Sequence, residues 1–245
     1  MAIFCKQSPH EIELLHRPIY IRDFLFRVMQ QLLQHMRTLR GIRCMSPRTT
    51  YFFGCLDRLA DIDYVPSQED LLHLYIPSVG VAQYTFEVGS QDYLVYDVSG
   101  RMVERQRWTV HYDHFDALIF TLAISEFDQF YEDERGKHVQ PLKHGLELLK
   151  EVASDARFKD TLLFVFLNET DIFKEKLIRY NLVDFFVAFE GNSEKDALSF
   201  MKQLAVDACA EHSEKLHLFF TTAVNTRKMH KVLNEVFKKI SKSKE

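Results

Sequence analysis

The sequence predicts an α/β fold built on a parallel sheet. Three runs carry that expectation: Ala117 to Ile124, Leu162 to Leu167 and Leu216 to Thr221 are almost continuously apolar and are separated by helical segments. Strands of that kind have both faces covered, which is the situation of parallel strands under crossover helices. A fourth observation adds a β-hairpin, because Tyr84–Val88 and Asp92–Val98 alternate in polarity around a tight turn at Gly89-Ser90.

The elements follow in order. From Pro18, apolar residues from Ile21 through Leu39 recur at helical spacing with Arg22, Arg27, Gln30, Gln34 and Arg37 between them, which predicts one long amphipathic helix stopped near Gly41. A short helix is expected from about Arg48 to Ala60. Pro66 breaks it, and Ser67 then caps a turn containing Asp70, Leu71 and Leu72. Beyond the hairpin, helices are expected over Pro141 to Ala153 and over Ser193 to Ala210, the latter capped with Asp196. The last helix sets Met229, Val232, Leu233, Val236, Phe237 and Ile240 on one stripe, with a basic exposed side and tail.

Composition narrows the function classes. The chain has 245 residues, 47% hydrophobic and 27% charged, which suits a folded globular protein. A formal net charge of −4 gives no global electrostatic reason to bind nucleic acid or an anionic membrane, so any partner must be read locally. Cys5, Cys44, Cys55 and Cys209 are scattered without a C-x-x-C pair, which suggests reduced packing cysteines of a cytosolic protein rather than a zinc site or a disulfide framework. The first residues show neither a signal peptide nor a myristoylation motif.

Chemistry in such folds sits just beyond the carboxyl ends of the strands. There the sequence reads Asn168-Glu-Thr-Asp171 after the second apolar run, Thr221-Thr-Ala-Val224 after the third, and Asp97-Val-Ser-Gly100-Arg101 after the hairpin. These resemble, in order, the N-K-x-D guanine-reading motif, the T-C-A-T loop and the D-V-G-G-Q switch of heterotrimeric G-protein alpha subunits. Tyr51 to Gly80 is similar to the run into that family's first switch, and Ser8 to Met36 to the start of its inserted all-helical domain.

The resemblance implies a Ras-like P-loop GTPase-type sheet over residues 67–245 and a remnant of the helical domain over 1–66. No G-x-x-x-x-G-K-[ST] motif occurs in the sequence, and the family's first strand and phosphate loop have no counterpart in it. The strand edges that would flank that first strand, at Leu94-Val95 and Ile119-Phe120, are therefore expected to pair directly or to be covered by the N-terminal segment.

By resemblance, GTP or GDP would be contacted by Leu72, Ser78, Asp97, Gly100, Asn168, Asp171 and Ala223, with Mg²⁺ on Ser78 and, through water, on Asp97. Asp171 would read the guanine edge and Asn168 brace the loop. The residues alone equally allow Asp171 as a helix cap, Ser78 as a turn residue and Asp97 as a strand-end carboxylate. The family's catalytic arginine and glutamine fall at Tyr75 and Arg101, so no catalytic residue is assigned. Arg105, Arg107 and Trp108 repeat the aromatic and basic cluster by which the family docks the beta-gamma dimer, or else Trp108 packs against the sheet. Receptors and effectors are the family's further partners, and nucleic acid is not among them. Its members work in the cytoplasm or on the cytoplasmic face of the plasma membrane, with at most peripheral membrane association. The reading is thus a signalling protein with degenerate nucleotide binding and hydrolysis, with a weakened but working GTPase switch as the alternative.

Overall fold

The computed structural model describes residues 47–61, 63–74, 81–89, 91–98, 115–132, 136 and 138–243. The chain divides into two compact units between Ile76 and Pro77. The long helix expected before Gly41 lies outside the described residues.

The first unit contains α1 (Pro47–Gly54), α2 (Leu56–Leu59) and α3 (Gln68–His73). The single helix expected from Arg48 to Ala60 is two, because Cys55 adopts φ −109°, ψ 12° and leaves the helical region between them. The turn expected at Ser67 is a helix start with a reciprocal capping box: the Ser67 hydroxyl accepts from the Asp70 N–H and the Asp70 carboxylate accepts from the Ser67 N–H. That carboxylate is almost fully buried and does more than cap. It takes both arms of the Arg58 guanidinium at 2.6 Å and the Tyr51 hydroxyl at 2.9 Å, which ties α1, α2 and α3 together.

The second unit begins with the hairpin β1 (Val81–Val88) and β2 (Gln91–Val98), paired from Val81↔Val98 to Val88↔Gln91. Gly89 turns it at φ 66°, a left-handed conformation that glycine takes without steric cost. The sheet proper contains β3 (Ala117–Ala123). A 3₁₀ turn over Ile124–Asp128 and a two-residue ladder of β4 (Tyr131–Glu132) with β5 (His138–Val139) lead from it into α4 (Pro141–Ala153). Next come β6 (Leu162–Asn168), α5 (Thr170–Leu177), α6 (Glu194–Ala208), β7 (Leu216–Phe220) and α7 (Thr226–Lys242). Strands β3, β6 and β7 are parallel in the order β3-β6-β7.

The central strand explains the apolar runs. Leu163, Val165 and Leu167 face a core shared with Leu142, Leu149, Met201 and Ala205 of α4 and α6, whereas Phe164 and Phe166 face a second core closed by Val236 and Ile240 of α7. A strand covered on both faces shows no polar alternation.

Among the described residues the hairpin does not pair with the sheet: the strand partner of β2 is β1, and that of β3 is β6. The hairpin is instead seated on α7: Tyr93 and Phe86 pack on Phe237 with ring centroids 4.7 and 5.6 Å apart, and the Ser241 hydroxyl donates to Gln91 at 2.6 Å. A further ring contact, Tyr96 on Phe115 with centroids 5.6 Å apart, joins β2 to the segment that leads into β3. Covering by the N-terminal segment concerns residues outside those described.

Candidate functional site

The carboxyl ends of β6 and β7 are knitted together by side chains. The Asn168 Oδ1 accepts the Thr221 hydroxyl and the Ala223 backbone N–H, each at 3.0 Å. Thr170 closes the other side, its N–H donating to the Thr221 carbonyl at 3.1 Å and its hydroxyl to the same carbonyl at 2.9 Å. Thr221 is buried, so its hydroxyl depends on this partner more than an exposed group would, whereas the Ala223 N–H lies nearer solvent.

Between Asn168 and Thr170, Glu169 takes φ 62°, an uncommon left-handed conformation for a residue with a side chain. Its carboxylate accepts the Ser125 hydroxyl on the 3₁₀ turn after β3. About two helical turns further on, Lys176 of α5 reaches the same segment, donating to the Ser125 carbonyl at 2.8 Å and to Asp128 at 2.5 Å. Asp128 and Lys176 are 3% and 15% exposed, so this is a buried ion pair that fixes α5 to the end of β3.

With Glu169 as the N-cap, Asp171 falls in the first turn of α5 and is not the cap that the residues alone allowed. It is exposed and makes no side-chain hydrogen bond among the described residues. Two carboxylate oxygens presented there accept a pair of parallel N–H donors, which is the edge that guanine offers. Among the described residues that carboxylate is open to donors from solvent. One detail opposes easy entry: the Ala223 N–H, assigned by resemblance to the guanine oxygen, is already bonded to Asn168.

Of the remaining assigned residues, Asp97 and Leu72 are described. Asp97 is buried at the end of β2, and Leu72 is half exposed on α3 in the other unit. Ser78, Gly100, Arg105, Arg107 and Trp108 lie outside the described residues, as do Tyr75 and Arg101. Among the described residues no group of three His, Cys, Asp or Glu converges to hold a metal. Cys209 is enclosed and its thiol is pushed up to about 12 by burial, which makes it a packing group rather than a nucleophile.

Sequence reasoning missed Ser125, Asp128 and Lys176 as the support of this loop. Asp128 and Lys176 are 48 positions apart, and no local pattern marks the pair.

The family model for the G-protein alpha subunit matches residues 11–240. Over 201 residues the chain is 33% identical to a guanine nucleotide-binding protein alpha-13 subunit of Caenorhabditis elegans, covering 82% of this chain and 57% of that one. It is 31% identical over 189 residues to the human alpha-13 subunit, covering 76% and 50%. An alpha-1 subunit of Mycosarcoma maydis is 29% identical over 194 residues, covering 78% and 54%. The chain thus spans about half the length of the curated relatives it matches.

Proposed function

We propose, from the premise that this chain belongs to the G-protein alpha subunit family, that it is an alpha-subunit-like signalling protein of receptor pathways in which nucleotide binding and hydrolysis are degenerate and docking of a beta-gamma dimer is retained. The observation that carries this reading is the divided state of the site. Asn168, Thr221 and Ala223 form a braced loop beside an exposed Asp171, while the 245 residues contain no phosphate-loop motif.

The division has a simple electrostatic meaning. A guanine base is neutral and is satisfied by a carboxylate and backbone groups, but the phosphates carry several negative charges that need N–H groups and a cation. Here the family's motif lysine is replaced by Glu169, so the base-reading loop adds negative charge to that already on Asp171. Magnesium, when bound in a family site, offsets phosphate charge; Ser78 and Asp97 are the groups that would hold it. Hydrolysis is disfavoured further, since Tyr75 carries no permanent charge and Arg101 is a poor partner for orienting water.

The intact geometry of Asn168 and Asp171 favours, as the second reading, a weakened switch that still binds nucleotide. Calorimetric titration of the 245-residue chain with GDP and GTP, with and without magnesium, separates the two. The first reading gives no saturable binding at micromolar nucleotide, and the second gives binding that Asp171→Ala abolishes.

A further inference from the structure

Helix α7 buries one side and leaves an unusually uniform charge on the other. Val236 and Ile240 close the core against Phe164 and Phe166, with Met229, Val232, Leu233 and Phe237 packed beside them. At 3.6 residues per turn, Arg227, Lys228, Lys231, Lys238, Lys239 and Lys242 fall within an arc of about 120° that runs the length of the helix, roughly 25 Å. Lys239 is half-buried and the other five are exposed. Glu235 is the one acidic residue in the arc. Among the described residues none of these cations takes part in an ion pair, although Arg58, Arg157, Lys174, Lys176, Arg179 and Lys215 elsewhere all do. The stripe is a local excess on a chain whose formal net charge is −4.

The character of the stripe selects its partner. Protein interfaces are anchored by buried aromatic or apolar groups, and this face of α7 presents none, since the apolar residues of the helix are turned into the core. Nucleic-acid surfaces favour arginine forks and stacking aromatics, whereas five of the six cations here are lysines with no aromatic side chain among them. Compact, hydrated ammonium groups spread along a line suit a diffuse, planar array of negative charge, and bilayers containing anionic phospholipids attract such groups additively.

We propose that α7 lays this basic face on the headgroups of an anionic phospholipid bilayer. The surface lies on the far side of α7 from the core and does not draw on the residues of the nucleotide loop, so its success or failure is independent of nucleotide binding.

Co-sedimentation of the 245-residue chain with vesicles of phosphatidylcholine containing ~30 mol% phosphatidylserine tests this, against vesicles of phosphatidylcholine alone and a 20-base-pair DNA duplex, the latter two as controls at about 0.1 M salt. The expected result is at least about tenfold stronger partition onto the anionic vesicles than onto the neutral ones, falling steeply as salt is raised. Lys231→Glu/Lys238→Glu/Lys242→Glu should remove that preference, and the Gln triple variant should reduce it by an intermediate amount, with both variants keeping the parent's circular dichroism. Equal partition onto neutral vesicles, no binding, binding untouched by the Glu variant, or tighter binding to the duplex than to the anionic vesicles would each overturn the proposal. If the Glu variant misfolds, the Gln variant and the salt series decide it.

Discussion

The Asn168 carboxamide oxygen and the Ala223 backbone N–H are 3.0 Å apart, and this bond joins the ends of two neighbouring strands. It should behave as a structural tie as well as a remnant of recognition. Asn168→Ala leaves a buried Thr221 hydroxyl and the Ala223 N–H without this acceptor, at a cost of roughly 1–3 kcal/mol. Urea denaturation should show the midpoint moving down with an unchanged slope. Unaltered stability would mean that water replaces the carboxamide at no cost.

Nucleotide affinity should be weak. Four charge-assisted bonds from a phosphate loop contribute roughly 6–12 kcal/mol, and about 8 kcal/mol separates nanomolar from millimolar binding. The braced loop at Asn168 does not supply that difference. A submicromolar dissociation constant for GDP that Asp171→Ala abolishes would restore the switch.

Beta-gamma docking should depend on the only tryptophan of the chain. Trp108→Ala is expected to weaken capture of a purified beta-gamma dimer by at least about 2 kcal/mol, close to thirtyfold, with or without nucleotide. Equal capture by parent and variant would reject this surface.

The Asp70 cluster predicts an acid-sensitive first unit. The Arg58 guanidinium, with help from Ser67 and Tyr51, holds the Asp70 carboxyl well below the usual carboxylate range. A carboxylate whose folded pKa is depressed contributes its full stability above its unfolded value, near 3.9, and loses it as pH falls through the folded value. Arg58 is 43% exposed, so solvent screening limits the loss in Asp70→Asn to roughly 1–3 kcal/mol at neutral pH. Thermal scans should show parent stability dropping below about pH 4 and a flatter profile for the variant over that window. Parallel profiles would exclude Asp70 as the source.

The Lys176 and Asp128 pair should be costly to halve. Lys176→Met strands a carboxylate that is 3% exposed, and breaking a buried pair on one side costs roughly 3–5 kcal/mol. Converting Asp128 to Leu in the same chain should recover most of that loss. A single variant as stable as the parent would show that water reaches Asp128.

What the sequence made legible, and what it did not, follows the range of the interactions. Pro141 at the first helical position and the Ser193–Asp196 capping box are local signals, and both fix helix starts that the structure keeps. The apolar runs revealed buried strands because coverage on two faces removes polar positions. Helix α5 was harder to see: it is eight residues long, and Phe173 is its one fully buried side chain. The loop at Asn168 was found through its motif, but the engagement of Ala223 and the ties through Glu169, Ser125 and Lys176 depend on contacts between distant segments. The separation of the hairpin from the sheet depends on ring packing against α7, which no strand pattern encodes.

That arrangement has a consequence for the order in which the molecule comes apart. The hairpin is tied to α7 through Phe237 and Ser241, so loosening α7 should release β1 and β2 together while β3, β6 and β7 stay paired. Hydrogen exchange should show the amides of β1 and β2 opening before those of β6.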